Sequence, residues 1–200
     1  MAIDSRTTTE PRTRLYRLDV DQLFRMLDAG VLPDDNNVEL LGGLLARKTT
    51  KNPPHSFTII QVCKLIRAIL PAHWTVREEK SVFLGRCWRP EPDLSVVLGP
   101  EDRYREIDPT AADIALLVEV ADTSYTVDRG AKWRRYAASG VPVYWIIYLA
   151  ARTVEVYAQP IGQGKSARYG ESHVYALDHA VPVLLRDHLA GAIAVKDILP

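Results

Sequence analysis

The sequence predicts a mixed α/β or α+β protein whose central β-sheet is flanked by helices. Apolar runs of strand length, segments with apolar residues at helical spacing, and Gly or Pro residues between them predict this class. With 200 residues, 47% of them hydrophobic, the chain is long enough for one domain with a sizeable core. We expect residues 15–200 to form this domain and residues 1–14 to be a disordered lead-in.

Composition excludes several classes of protein. No run approaches the roughly 18 apolar residues of a membrane span, and no apolar signal segment opens the chain, so we expect a cytoplasmic protein without a membrane partner. Cys63 and Cys87 match neither a disulfide framework nor a zinc pair, and both are expected to be reduced. The 25 Lys and Arg residues balance 25 Asp and Glu residues, which leaves room only for a local basic surface.

The first segments predict a helix and a hairpin. Asp19 is placed as the N-cap of a helix, with Gln22 three residues later and a stop at Gly30. The stretch "NNVELLGGLLARK" then alternates around Gly42-Gly43, which can adopt the positive φ angles of a two-residue turn. We expect Glu39 to point away from its two apolar neighbours in the first strand.

The next segments predict a helix, two strands and a loop. In "HSFTIIQVCKLIRAIL" the apolar residues form a helical stripe that ends at Pro71, with Pro53-Pro54 just before it. The stretches "WTVREEKSVFLG" (74–85) and "PDLSVVL" (92–98) are typical of strands, and the polar segment 99–112 is typical of a loop.

The second half predicts a buried strand, a helix and further strands. "IALLVEVAD" (114–122) has the apolar character of a central strand, and "TVDRGAKWRRYAASG" predicts a helix that ends at Gly140. "VYWIIYL" and "TVEVYA" predict two more strands, and the residues between 159 and 172 predict a flexible loop. The tail, from residue 181, suggests one strand and a closing turn or helix.

Two carboxylates occupy unusual places in the predicted sheet. Glu119 interrupts an apolar strand, and Asp93 opens a neighbouring one, so the two would converge if these strands pair. Such a pair favours a divalent cation such as Mg²⁺ or an unusual pKa. The alternatives are a structural Glu119, paired with an arginine or facing solvent, and an Asp93 that only starts a strand.

Lys132 lies one helical turn after Asp128, close to the end of the strand that carries Glu119. It could reach back to the carboxylates and hold a phosphate, or form an ordinary i, i+4 pair with Asp128. The same helix has a basic and aromatic face suited to a phosphate backbone, formed by Arg129, Trp133, Arg134, Arg135 and Tyr136. Its two aromatic residues could equally form the core side of the helix.

Two further residues could complete a site. Glu39 is a third acid, and His55 stands at the start of the second helix. Either could also be a surface residue, and His55 could be an ordinary histidine at the end of a helix rather than a ligand.

Several motifs together resemble one family. The sequence resembles the Uma-two family in the stretches "VELLGGLL", "PEPDLSVV", "LLVEVADTS", "VDRGAKWRRYAASGVPVYWII" and "TVEVY". This family is grouped with restriction endonucleases and is a branch of the PD-(D/E)XK superfamily of nucleases. The resemblance covers roughly residues 15 to 160 in order. It implies a restriction-endonuclease-like core, a mixed sheet with helices on either side.

The resemblance also implies roles for single residues. Asp93 matches the aspartate of the Pro-Asp motif, Glu119 the acid of the E-x-K half-motif, and Glu39 the glutamate that often completes the metal site. The residue two positions after Glu119 is Ala121 rather than lysine. Lys132 instead matches the Asp-x-x-x-Lys pattern on the following helix. Asp128 and Arg135, like His55, are possible accessory residues.

The implied function is cleavage of DNA with Mg²⁺ or Mn²⁺, held by Asp93, Glu119 and Glu39, while Lys132 stabilises the developing charge. A homodimer is expected for a double-strand break. Two other functions stay open from the sequence. One is a catalytically inactive nucleic-acid or protein-binding module on a nuclease fold, and the other is a metal phosphodiesterase acting on nucleotides or RNA.

Overall fold

The computed structural model describes residues 15–32, 38–48 and 51–200. The predicted lead-in, residues 1–14, lies outside the described residues. In chain order the elements are α1 (Val20–Asp28), β1 (Val38–Leu41), β2 (Leu44–Arg47), α2 (Pro53–Ile69), β3 (Trp74–Glu78), β4 (Trp88–Arg89), β5 (Leu94–Leu98), β6 (Ile114–Ala121), α3 (Tyr125–Val127), α4 (Trp133–Ser139), β7 (Val143–Tyr148), β8 (Thr153–Ile161), β9 (Arg168–Tyr175), β10 (Ala180–Leu185), β11 (His188–Ala194) and α5 (Val195–Ile198).

The main sheet has six strands in the order β3-β5-β6-β7-β8-β9. Within the described residues β6 and β7 form its one parallel pair, and the other neighbours are antiparallel. Residues of α2, the β10–β11 hairpin and α5 bury one face of the sheet, and residues of α4 bury the other. The predicted mixed sheet flanked by helices is confirmed. None of the helices among the described residues is long and apolar enough to cross a membrane.

The predicted start of α1 is confirmed in detail. The side chain of Asp19 accepts a hydrogen bond of 2.8 Å from the Gln22 N–H, and the Gln22 side chain accepts one of 2.9 Å from the Asp19 N–H. The two residues therefore satisfy backbone donors that a helix start leaves free.

The predicted hairpin is β1–β2, and its turn consists of Gly42 and Gly43 at φ angles of 61° and 79°. A side chain at Gly43 would also collide with the preceding segment, because a Cβ there would lie 2.7 Å from Arg17 Cβ. The short strand β4, which the sequence did not predict, pairs with β1 and makes a three-stranded sheet. This small sheet carries Glu39.

Several predicted bounds are wrong. The strand predicted for residues 74–85 ends at Glu78, because Glu79 adopts a φ of +52°. The two prolines predicted to precede α2 form its first turn, behind the N-cap Asn52. The tail forms two paired strands rather than one, followed by the short closing helix α5 that was one of the predicted alternatives.

The loop predicted between residues 159 and 172 is shorter than expected. Strand β8 continues to Ile161, and β9 begins at Arg168 and pairs with β8. Tyr169 is only 6% exposed and packs among the aromatic residues under α4. Gly and Ser residues at the turn made the segment resemble a loop, whereas the burial of Tyr169 favours a strand.

Candidate active site

The pairing of β5 with β6 brings Asp93 beside the strand of Glu119. Leu94 pairs with Val118 in an antiparallel register, so Asp93, one residue earlier, stands next to Glu119 along the sheet. The Asp93 Oδ2 atom accepts a hydrogen bond of 2.7 Å from the Val120 N–H. The two strands thus lie side by side, the condition under which the sequence predicts that these carboxylates converge.

Glu39 reaches the same region from the three-stranded sheet. Its side chain is buried, and its Oε1 atom accepts a hydrogen bond of 2.6 Å from the Glu91 N–H. Glu91 lies just before Asp93, so this bond connects the small sheet to the beginning of β5. Glu39 is thereby held close to the edge where Asp93 and Glu119 stand.

Lys132 connects these acids. Its Nζ atom lies 3.0 Å from Glu119 Oε1, 3.1 Å from Glu39 Oε1 and 3.7 Å from Asp128 Oδ1. All four side chains are buried. The lysine therefore does reach Glu119 from the following helix, and it contacts Asp128 as well, so the i, i+4 pair and the longer reach are both present.

A wide helical turn positions Lys132. The segment Asp128–Lys132 is a π-helical turn between α3 and α4, where the predicted helix was continuous. The Trp133 N–H donates to the Asp128 carbonyl five residues earlier, and the Tyr144 hydroxyl donates to the same carbonyl at 3.2 Å. Such turns change the direction of side chains within a helix and are frequent at functional sites.

The buried acids outnumber the cation that they contact. Burial raises the pKa of Glu119 well above its ordinary value, and although Lys132 opposes this, Asp128, Asp93 and Glu39 add to it. Burial also raises the pKa of Asp128, against the effect of Lys132. For Lys132, burial alone would lower the pKa, but the surrounding carboxylates raise it well above its usual range. The cluster thus has room for further positive charge.

The residue types fit a hard divalent cation. Carboxylate oxygens are the ligands that Mg²⁺ and Mn²⁺ prefer, and the buried Asp128 Oδ2 atom has no hydrogen-bond partner among the described residues. No three His, Cys, Asp or Glu side chains of the described residues form a ready-made metal cluster, however. The Oε1 atoms of Glu39 and Glu119 instead both contact the ammonium of Lys132.

An open cavity of about 200 Å³ gives access to these groups. Its lining includes Lys48, Lys132 and six acids, namely Glu39, Glu79, Glu91, Asp93, Glu119 and Asp128.

His55 is the accessory residue that stands nearest to Asp93. It lines the cavity, and its Nε2 atom lies 3.5 Å from Asp93 Oδ2. Burial alone would lower the pKa of His55, but the contact with Asp93 raises it above its ordinary value. Its Nδ1 atom is buried and has no hydrogen-bond partner within the part of the chain that the structure describes.

Arg135, in contrast, does not join the cluster. Its guanidinium donates to the Leu84 carbonyl and lies 5.6 Å above the Trp88 ring. The proposed basic and aromatic face is likewise divided, since Tyr136 is fully buried, Trp133 packs partly into the core and the exposed Arg129 pairs with Glu155. Tyr136 and Trp133 therefore lie on the core side of the helix, which was the alternative to a phosphate-binding face.

Two residues at the site were missed as partners of the acids: Tyr136, which the sequence offered only for a phosphate-binding face or for the core, and Lys48, which it did not single out. The Tyr136 hydroxyl donates a hydrogen bond of 2.8 Å to Glu119 Oε1, and burial raises the pKa of Tyr136 so that it keeps this proton. Lys48 forms an ion pair with Glu91 at the cavity wall. The signal for Tyr136 was its position four residues after Lys132, which puts both side chains on one helix face. The signal is weak, because an aromatic residue at that position also fits an ordinary core.

Comparison with known proteins identifies a family. The family model Uma2, described as "Putative restriction endonuclease", matches residues 20–190. A solved structure described as "a putative nuclease belonging to DUF820 from Anabaena variabilis ATCC 29413" is similar in fold, with a TM-score of 0.69, 19% identity, and coverage of 90% of this chain and 97% of that chain. A search of curated protein sequences finds no match. The resemblance seen in the motifs is therefore confirmed, and the chain belongs to the Uma2 (Uma-two) family.

Proposed function

We propose that the chain is a metal-dependent endonuclease that hydrolyses DNA phosphodiester bonds in the cavity beside Lys132. The observation that carries the proposal is the cluster itself, in which Lys132 Nζ lies 3.0 Å from Glu119 and 3.1 Å from Glu39, with Asp93 on the neighbouring strand. Membership of a family described as restriction endonucleases supports the same class of reaction.

Each residue has a separate task in this proposal. Mg²⁺ (or Mn²⁺) would be held by Asp93, Glu119 and Glu39. When bound, the ion would polarise the scissile phosphate and lower the pKa of the attacking water. Lys132 would donate to a phosphate oxygen and offset the negative charge that develops during attack by water. The ion pairs of Lys132 restrict its side chain to the cavity, so little ordering is needed when the substrate binds.

The surroundings of the cavity suit a nucleic-acid backbone. Arg47, at the end of β2, and Lys48, just after it, line it together with Lys132. Cations from separate elements can contact phosphates, which positions a strand without reading its sequence. A homodimer with one such cavity in each protomer would cut both strands of a duplex.

A DNA cleavage assay with matched variants tests the proposal. We expect the wild-type protein to cut DNA with Mg²⁺ or Mn²⁺ and not with EDTA, and Asp93→Ala and Lys132→Met to lose about 100-fold or more of the rate. Asp178→Ala, which alters an acid whose side chain is 83% exposed, should cut like the wild type. Equal cleavage by all four proteins, or none by any, would refute the proposal.

A binding module without catalysis is the second candidate. It is favoured by the ion pairs of Lys132, which compensate Glu39 and Glu119 without a metal ion. DNA binding that persists in EDTA and in Glu119→Gln, with no cleavage by the wild type, is the result expected for such a module. Parallel assays with single-stranded DNA, duplex DNA and RNA would also separate a DNA enzyme from a phosphodiesterase acting on RNA.

A further inference from the structure

One oxygen of Glu119 receives two hydrogen bonds from one helix. Lys132 Nζ lies 3.0 Å from Glu119 Oε1, and the Tyr136 hydroxyl donates to the same atom at 2.8 Å. The two donors are four residues apart and therefore lie one above the other on the helix surface. Both bonds end on Oε1, so neither donor uses the second carboxylate oxygen of Glu119, a residue that lines the cavity.

The ring of Tyr136 is fixed by its surroundings. The side chain is fully buried, and its ring packs edge to face against Tyr144 with ring centroids 4.9 Å apart. Only the hydroxyl reaches the charged cluster. The hydrogen bond from Tyr136 therefore comes from a rigid donor directed at Glu119 alone, whereas the ammonium of Lys132 is shared among three acids.

We infer that Tyr136 is a positioning residue for metal binding, which holds Glu119 Oε1 so that the other oxygen faces the cation. This inference rests on the proposed function, because it assumes that Glu119 is a metal ligand. Hydrogen bonds to ligating carboxylates orient them, and loss of such a partner typically lowers metal affinity about 10- to 100-fold. Lys132 alone cannot supply this orientation, because it is drawn toward Glu39 and Asp128 as well.

The chain offers a closely matched control. Tyr136→Phe removes one hydroxyl and keeps the packed ring. Tyr169→Phe removes a hydroxyl from the same aromatic cluster, and that hydroxyl is buried without a hydrogen-bond partner in the described residues. The two variants therefore differ mainly in whether a bond to Glu119 is lost.

Mn²⁺ binding to the full-length protein, measured by electron paramagnetic resonance without DNA, tests the inference. We expect Tyr136→Phe to raise the Kd for Mn²⁺ about tenfold or more, and Tyr169→Phe to leave it within about twofold of the wild type. In cleavage assays, Tyr136→Phe should need more Mg²⁺ for half of its maximal rate and reach a similar rate at saturating Mg²⁺. A merely structural tyrosine would alter the thermal midpoint without altering this requirement.

The outcomes separate this inference from the proposed function. If the wild type binds Mn²⁺ through Glu119 but Tyr136→Phe binds it equally well, the positioning role is refuted and the proposed function stands. If the wild type binds no Mn²⁺, or binds it unchanged in Glu119→Gln, both are refuted.

Discussion

At the scale of single residues, the site depends on how charge is balanced around Lys132. Its ammonium contacts Glu119, Glu39 and Asp128, and all of these side chains are buried. Carboxylates that lie together away from water are costly unless a cation lies between them or one of them binds a proton. Lys132 is therefore as important for the stability of this region as for the proposed chemistry.

Replacement of this lysine has a measurable cost. We expect Lys132→Met to lower the free energy of unfolding by about 3–5 kcal/mol, because removing one partner of a buried ion pair leaves the others uncompensated. Added Mg²⁺ should recover part of the loss, since it would supply the missing positive charge. Urea unfolding with and without Mg²⁺ measures both effects, with a substitution of the exposed Lys196 in α5, Lys196→Met, as control. A loss that Mg²⁺ leaves unchanged would argue against a cation site here.

Residue type decided which of these groups could be predicted. Glu119 was conspicuous because a carboxylate rarely occurs in a fully buried strand, and Lys132 because of its spacing from Asp128. Tyr136 and Lys48 are of types common in cores and on surfaces, so their residue types carry no such signal. Their contacts with Glu119 and Glu91 depend on tertiary packing.

At the scale of elements, the wide turn Asp128–Lys132 determines where α4 presents its side chains. It contains Gly130, which suggests that the turn requires a glycine. The surroundings indicate otherwise, because a Cβ added at Gly130 would meet nothing within 4 Å. Gly43, in the β1–β2 turn, is the opposite case, with a φ of 79° and a backbone oxygen 2.9 Å from the added Cβ.

The two glycines should therefore respond in opposite directions to the same substitution. We expect Gly130→Ala to raise the free energy of unfolding by about 0.4–1 kcal/mol, because alanine restricts the unfolded chain more than glycine. Gly43→Ala should lower it by about 1–3 kcal/mol, because the residue is strained at positive φ and collides with the backbone. Urea unfolding of both variants checks this. Destabilisation by Gly130→Ala would mean that the wide turn needs its glycine after all.

Elements with local signals were predictable, and elements formed by tertiary contacts were not. The capping pair at Asp19 and the eight buried residues of β6 follow from the nearby sequence. The short strand β4 and the extended β9 exist because a partner strand is present. The wide turn before α4 departs from the 3.6-residue period that identifies helices, so periodicity predicted a continuous helix instead.

At the scale of the whole molecule, the fold brings together acids and a lysine from distant parts of the chain. Glu39 comes from the small sheet, Asp93 and Glu119 from neighbouring strands of the main sheet, and Lys132 from the helix that follows. The sequence could predict the approach of the two strands and offer Lys132 and Glu39 as further members of the site, and the family resemblance assigned their roles. The distances among them required the full fold.

The central claim is that these carboxylates bind a divalent cation, and a crystal soaked in Mn²⁺ tests it most directly. Mn²⁺ scatters anomalously, so its position can be identified independently of the protein atoms. We predict an anomalous peak between Asp93 and Glu119, within bonding distance of oxygens from both, which is absent from crystals of Asp93→Ala. A crystal without such a peak, in which Lys132 still pairs with Glu39 and Glu119, would contradict the account.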